Sequence, residues 1–273
     1  MDHFMGCLPP KKDIRDYKIK ASAVSAVELP ESYSWLCNYK HMPVKNQEQV
    51  SSCVAHAMSS ILEYHIIGTK KLSTNFIYGG QYEVCGNEGQ GMYLSDACKI
   101  VKKYGDATEE DCPGNTEVPE CYDIASEALH NEEKMQRASL YKIESYANVD
   151  GIQAIKYAIY KYGPVLAAIE WFDDCEVIDK KLISNYKKGI GYHAIVLYGW
   201  DKDGFLFQNS WGEDWGVKGR ATLPYDYKIA EAKSIIDAED PEDVVKPIKI
   251  DNKLVKILCK IVNYILNLIF FKK

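Results

Sequence analysis

Apolar residues in the first half of the chain recur every three or four positions, the spacing of one face of an α-helix. Val54, Met58 and Ile61 follow this spacing and predict a helix over residues 52–67, which ends at Gly68. Ser51 and Ser52 stand at its start, directly before Cys53, and either serine can cap the helix.

Two further helices are predicted downstream of the first. One starts within residues 72–78 with Ser73 as its cap, and another covers residues 94–104 and is closed by Gly105. Most of the helical signal therefore lies before the middle of the chain.

The second half changes to short apolar runs bounded by glycine and polar residues, the pattern of buried strands. One more helix is predicted over residues 149–162, where Gly163-Pro164 stops it. The predicted strands cover residues 165–171, 194–200, 204–208 and 219–223. Helices followed by strands that pair antiparallel indicate an α+β fold.

Composition adds limits on function and compartment. The chain has 273 residues, 47% hydrophobic residues and a net charge of −6, which permits a large core and argues against nucleic acid as a partner. Residues 1–10 lack a secretory signal, so we expect a cytoplasmic protein, and we expect a monomer. Nine cysteines suit disulfides only in an oxidising compartment; Cys112 and Cys121 flank a Pro-Gly-Asn loop and could bridge there.

Four residues supply the chemistry of a cysteine nucleophile. Gln47 lies six residues before Cys53, and His193 and Asn209 follow far downstream. A thiol, an imidazole and a carboxamide are the nucleophile, the proton shuttle and the group that orients it. No cofactor is required, and no metal is expected, because His56 has no second pair of ligands at zinc spacing.

Three segments resemble the papain-like cysteine proteases. They are Leu29–Trp35, Pro43–Ala57 around the cysteine, and Asn209–Gly219, which contains Asn-Ser-Trp-Gly. The similarity covers roughly residues 29–238. It implies two lobes, a helical one over about 39–138 and an antiparallel, β-barrel-like one over about 139–238, with the active site in the cleft between them.

The resemblance also assigns roles to individual residues. Cys53 attacks a peptide carbonyl and forms a thioester, His193 moves the proton, and Asn209 fixes the imidazole ring. Gln47 donates to the oxyanion together with the Cys53 N–H, and Trp211 covers the site. A helix N-terminus and a nearby imidazolium both favour the thiolate, so a resting ion pair is expected.

A glycine-rich stretch resembles the family's strip for extended peptide or protein substrates. Gly89 and Gly91 let the backbone approach a peptide closely. Met92 or Tyr93 is expected to line the main specificity pocket. Many relatives place a disulfide cysteine three residues before the nucleophile, whereas this chain has Val50, which favours a reducing compartment.

The ends of the chain leave alternatives open. Residues 1–28 form a propeptide-like leader that either crosses the cleft and restrains activity or is a loosely attached strand. The charged stretch 231–251 reads as a linker, with the border of the peptidase domain placed after residue 238. Residues 252–273 form an apolar helix with one polar stripe, which either docks on protein or attaches to a membrane.

The sequence predicts a cysteine endopeptidase that makes a Cys53 thioester, and two other functions remain compatible with it. The same site can perform acyl transfer, deamidation or deconjugation of ubiquitin-type modifiers. A catalytically silent relative would keep the fold only to bind peptides.

Overall fold

The computed structural model describes residues 5–11, 17–19, 24–25, 27–36, 42–65 and 70–238. The chain divides into two units, residues 1–242 and 243–273, and the second lies outside the described residues. The predicted linker 239–251 and C-terminal helix 252–273 therefore stay predictions. None of the helices in the described ranges is long and apolar enough to cross a membrane.

Two short strands precede the helices, five helices then follow in succession, and the sixth lies between the third and fourth strands. The helices are α1 (Cys53–His65), α2 (Thr74–Cys85), α3 (Leu94–Lys103), α4 (Glu120–Leu129), α5 (Glu132–Ala138) and α6 (Ile152–Tyr162). The first three and the last were predicted, with bounds that differ by a few residues. Ser73 caps α2 as predicted, because its side chain accepts from the N–H of Phe76.

The strands form one mixed sheet in which most neighbours are antiparallel. They are β1 (Tyr17–Lys18), β2 (Tyr33–Ser34), β3 (Ile143–Asn148), β4 (Val165–Phe172), β5 (Glu176–Ile178), β6 (Lys181–Ile183), β7 (Gly189–Trp200), β8 (Gly204–Gln208), β9 (Arg220–Pro224) and β10 (Ile229–Ala238). Their order is β1-β3-β10-β4-β7-β8-β9-β6-β5, with β2 also paired to β7. The α+β class is confirmed.

Alternating side chains of the central strands divide the interior into two hydrophobic clusters. In β4, Leu166 and Ala168 belong to the cluster that contains α1, α2 and α3, whereas Val165, Ala167 and Ile169 belong to the cluster that contains α6. Strand side chains point alternately to opposite faces of a sheet, so one buried strand serves both clusters. The candidate site lies where the two clusters meet.

Helices α4 and α5 were not predicted, because their buried side chains are small. The buried positions on α4 are the small residues Cys121, Ala125 and Ala128. They pack closely on α2: a Cβ on Gly79 would lie 2.0 Å from the carbonyl oxygen of Cys121. Small residues allow this close approach but give little hydrophobic pattern in the sequence.

The interpretation of residues 231–251 as a linker is wrong for its first part. Residues 229–238 form β10, which lies between β3 and β4 in the sheet. The charged residues suggested an exposed segment, but Lys233 is fully buried. Its Nζ lies 3.0 Å from Glu231 and 2.6 Å from Oδ1 of Asn148. A paired lysine can occupy a buried strand, whereas an isolated one would be costly there.

Two isoleucines on α6 provide a test of the second cluster. Ile155 is 3% exposed and Ile152 is 39% exposed. We expect Ile155→Ala to lower the free energy of unfolding by about 2–5 kcal/mol, because it removes buried methylenes and leaves a cavity. Ile152→Ala, on the same helix, should cost less than about 1 kcal/mol. Urea unfolding of the full chain measures both, and equal losses would contradict this packing.

Candidate active site

Cys53 is the first residue of α1 and is fully buried. Two buried serines precede it, so the chain turns into the helix with its thiol at the N-terminal end. The backbone N–H of Ala194, in β7, donates to its sulfur at 3.5 Å. This contact brings the thiol to the strand residue that directly follows His193.

His193 and Asn209 form the second part of the site. The ring Nε2 of His193 lies 2.6 Å from the side-chain oxygen Oδ1 of Asn209, which also accepts from the N–H of Ser210 at 2.7 Å. Trp211 and Trp171 enclose the imidazole, with ring centroids 4.7 and 5.3 Å from its own. The Asn209 carboxamide and the Trp211 indole therefore both contact the imidazole.

Gln47 is fixed by the Asn209 segment and by its own loop. Its Oε1 accepts from the hydroxyl of Ser210 at 2.7 Å, and its backbone N–H donates to the carbonyl of Ser210 at 2.8 Å. Its Nε2 donates to the carbonyl of Val50 at 2.9 Å. Ser210 lies within the Asn-Ser-Trp-Gly motif, but its bond to Gln47 was not predicted, because the motif does not show which neighbour the serine contacts.

Residues 6–8 of the leader lie against both walls of the site. On one side the N–H of Cys7 donates to the carbonyl of Tyr192 at 3.2 Å. On the other, Met92 donates to the carbonyl of Gly6 at 2.8 Å and accepts from the N–H of Leu8 at 2.9 Å. This part of the leader is therefore an extended strand held on both edges, rather than a loosely attached one.

The close approach of the leader depends on glycine at position 6. A Cβ built there would lie 2.0 Å from the carbonyl oxygen of Ser51, well inside van der Waals contact. The glycine in the leader was a signal in the sequence, but its partner could not be known without the fold. The leader thus lies directly over the turn that leads into Cys53.

The glycine-rich strip lies along the leader. A Cβ on Gly91 would meet the Gly6 carbonyl oxygen at 3.1 Å, and Lys11 of the leader lies over the ring of Tyr93, 5.3 Å from its centroid. Gly89 is farther along the strip, and its N–H donates to the hydroxyl of Tyr122 at 2.9 Å. Met92 is fully buried.

The expectation of a resting thiolate is wrong for this leader-covered form. Burial raises the pKa of Cys53 to about 11, and the hydrogen bonds from Ala194, Gly6 and other backbone groups only partly oppose this. Loss of water disfavours the charged sulfur more than the helix N-terminus favours it. The covered nucleophile is therefore a neutral thiol at physiological pH.

The remaining candidates do not form further sites. Each cysteine in the described ranges is a free thiol, including the buried Cys112 and Cys121. His56 bonds the carbonyl and the hydroxyl of Ser52 through Nδ1, both at 3.1 Å, and burial lowers its pKa to about 3, so the ring is neutral. The described part of the chain contains no cluster of side chains suited to a metal ion.

Comparison with known proteins identifies the family. The sequence profile described as papain family cysteine protease matches residues 29–235. The chain therefore belongs to the papain family of cysteine proteases.

Individual relatives agree with this assignment. The chain is 27% identical over 209 residues to cathepsin B-like cysteine proteinase 3 of Caenorhabditis elegans. The matched region covers 64% of this chain and 55% of that protein. The chain is also 24% identical to the uncharacterized peptidase C1-like protein L477 of Acanthamoeba polyphaga mimivirus, over 87% of this chain and 82% of that protein. The chain spans about half the length of the cathepsin B-like relative.

A solved structure supports the fold. Xylellain, a cysteine protease from Xylella fastidiosa, superimposes with a TM-score of 0.71 over 85% of this chain and 95% of that one, at 22% identity. At this identity the likeness concerns the fold alone.

The raised pKa predicts how Cys53 reacts with iodoacetamide. Only the thiolate is alkylated, so the rate in the full chain should rise about tenfold per pH unit from pH 7 to 9.5 without a plateau. Peptide mass spectrometry would follow Cys53 separately from the other cysteines. A plateau below pH 8 would mean that the leader does not hold the thiol in its neutral form.

Proposed function

We propose that the protein is a cysteine endopeptidase that hydrolyses extended peptides through a thioester on Cys53. The observation that carries this proposal is the 2.6 Å hydrogen bond between His193 and Asn209, together with the bond from the next residue of β7, Ala194, to the Cys53 sulfur. A buried thiol is most often inert. Here the sulfur contacts the strand residue that follows an oriented imidazole, and this favours catalysis.

In this proposal the imidazole moves the proton and Asn209 holds the ring. Nε2 of His193 bonds the oxygen of Asn209 and must carry hydrogen, so Nδ1 is the nitrogen that exchanges a proton with Cys53. The thiolate attacks the peptide carbonyl, and the imidazolium gives its proton to the leaving amine. Water, deprotonated by the same ring, then hydrolyses the thioester.

Gln47 is suited to stabilise the oxyanion with the backbone N–H of Cys53. Its side-chain oxygen Oε1 accepts from the hydroxyl of Ser210, and this bond sets the orientation of the side-chain amide. Its Nε2 donates to the carbonyl of Val50, in the loop that leads to Cys53. Loss of such a donor costs about 10²–10³ in rate in other hydrolases.

Residues 6–8 are proposed to inhibit the enzyme. They use the backbone groups of Met92 and Tyr192 that an extended substrate would need, and they exclude water from the thiol. Both effects disappear when the leader leaves: the strip can bind a peptide, and the thiol regains water and its interaction with the imidazolium. We propose that activation consists of displacement or cleavage of this segment.

Labelling by an epoxysuccinyl-peptide thiol inhibitor tests the proposed nucleophile. The full chain after activation should gain one label at Cys53, lose it in Cys53→Ala and label at least tenfold more slowly in His193→Ala, because the imidazole ionises the thiol. Mass spectrometry gives both site and rate. Labelling without peptide hydrolysis would support a deamidase or deconjugating enzyme, and added amines that divert the product would indicate acyl transfer. Absence of any labelling would leave the silent peptide binder.

Substitution of Gly6 tests inhibition by the leader. Gly6→Val places a side chain against the Ser51 carbonyl and should expel the leader, so that Cys53 labelling and peptidase activity rise at least tenfold in the full chain. Val27→Ala, an exposed change in the same N-terminal region, serves as control. Equal activity in Gly6→Val and the unchanged chain would refute the inhibitory role.

A further inference from the structure

The loop of residues 113–119, which leads into α4, extends two polar side chains toward the nucleophile segment. Glu117 accepts from the N–H of Ser51 at 2.7 Å through Oε2. Asn115 donates to the carbonyl of Gln47 at 2.9 Å and accepts from the hydroxyl of Ser52 at 3.0 Å. Each therefore contacts residues that lie within six positions of Cys53.

Glu117 and Gln47 hold opposite ends of one peptide group. The peptide between Val50 and Ser51 donates its N–H to Glu117 at 2.7 Å, and its carbonyl accepts from Nε2 of Gln47 at 2.9 Å. A peptide group is planar and rigid, so fixing its N–H also fixes the direction of its carbonyl. Through this peptide Glu117 orients the amide that is proposed to stabilise the oxyanion.

The other oxygen of Glu117 connects to the substrate strip. Its Oε1 accepts from the hydroxyl of Tyr78 at 2.6 Å, and that hydroxyl accepts from the N–H of Gly91 at 3.2 Å. Tyr78 is fully buried on α2. One carboxylate thus links the loop of the nucleophile to the backbone on which an extended chain lies.

The loop that carries Glu117 is itself anchored. Asn75, on α2, donates through Nδ2 to the carbonyl of Pro113 at 2.9 Å and accepts from the N–H of Thr116 at 2.9 Å. Both bonds originate from one buried side chain on the same helix as Tyr78. The position of the Glu117 carboxylate is therefore set by side chains of α2, which are not part of the leader.

We propose that Glu117 is a positioning residue that aligns the oxyanion donor and the substrate strip. Val50 stands where many papain-like enzymes have a disulfide cysteine, and Glu117 instead accepts a hydrogen bond from the adjacent residue, Ser51. The proposal rests on the proposed peptidase function. Glu117 has two arms: its hydrogen bond with Ser51 and its hydrogen bond with Tyr78. The proposal predicts different kinetic effects for them, since the Ser51 arm acts on the reaction and the Tyr78 arm acts on substrate binding.

Glu117→Gln tests both arms, because an amide keeps the shape but replaces one acceptor oxygen with a donor. One of its partners, the Ser51 N–H or the Tyr78 hydroxyl, then faces a nitrogen, and the other loses the charged acceptor that strengthens its hydrogen bond. In the full chain carrying Gly6→Val, kcat on a peptide amide should fall about 10- to 100-fold and KM should rise. Tyr78→Phe breaks only the strip arm, so KM should rise about fivefold with a much smaller effect on kcat.

Glu120→Gln is the matched control, an exposed carboxylate three residues along the chain. It should keep kcat and KM within about twofold. The proposal is overturned if Glu117→Gln behaves like Glu120→Gln, or if Tyr78→Phe lowers kcat as strongly as Glu117→Gln does. A thermal unfolding midpoint close to that of the parent chain excludes general misfolding as the cause.

Amide hydrogen exchange gives a second readout that needs no activity. Glu117→Gln should speed exchange in peptides that contain Ser51 and in those that contain Gly91, whereas Tyr78→Phe should affect only the latter. Unchanged exchange at Ser51 in Glu117→Gln would refute the positioning role of Glu117. If the parent chain shows no peptidase activity but exchange changes as expected, the proposed function fails while the structural link stands.

Discussion

The backbone N–H of Ala194 meets the sulfur of Cys53, and this contact joins the first helix to the longest strand of the sheet. The helix belongs to one hydrophobic cluster, and the tryptophans around His193 belong to the other. The reacting groups are thus carried by separate packed bodies that touch at this point. Their spacing is determined by packing on both sides of the sheet, where a shift of either element would break many contacts.

Exclusion of water has opposite consequences at the two halves of the site. For the pair His193 and Asn209, enclosure by Trp171 and Trp211 strengthens the hydrogen bond that orients the ring. For Cys53, burial under the leader favours the neutral thiol and raises its pKa. In the proposed mechanism, the same low polarity therefore orients the group that moves the proton and holds the nucleophile in its neutral, unreactive form. A segment that only covers the sulfur would then inhibit the enzyme without altering any of the groups proposed to perform the chemistry.

The sequence predicted those parts of the molecule whose signals are local. Gln47, Cys53, His193 and Asn209 lie in motifs of recognisable spacing, and the site unites them. Strand β10 was missed because the sequence does not show which residues pair with Lys233 and so allow its burial. One of them, Asn148, lies far away in the sequence. Helix α4 was missed because its contacts use small residues. Backbone contacts are the hardest to predict, since any residue can make them: the leader binds through its own N–H and C=O groups, and the carboxylate of Glu117 accepts from the backbone N–H of Ser51.

The contacts of Glu117 also explain how a papain-family site can be held together without a covalent link near Val50. A disulfide would constrain the loop only where thiols are oxidised. A carboxylate that accepts from a backbone N–H and a tyrosine hydroxyl works in either redox state, and hydrogen bonds to a charged acceptor are stronger than neutral ones. Because these bonds converge on one side chain, the nucleophile loop and the strip are coupled. Rigidity at the oxyanion donor and rigidity at the substrate strip then come from the same residue, and losing that residue should loosen both.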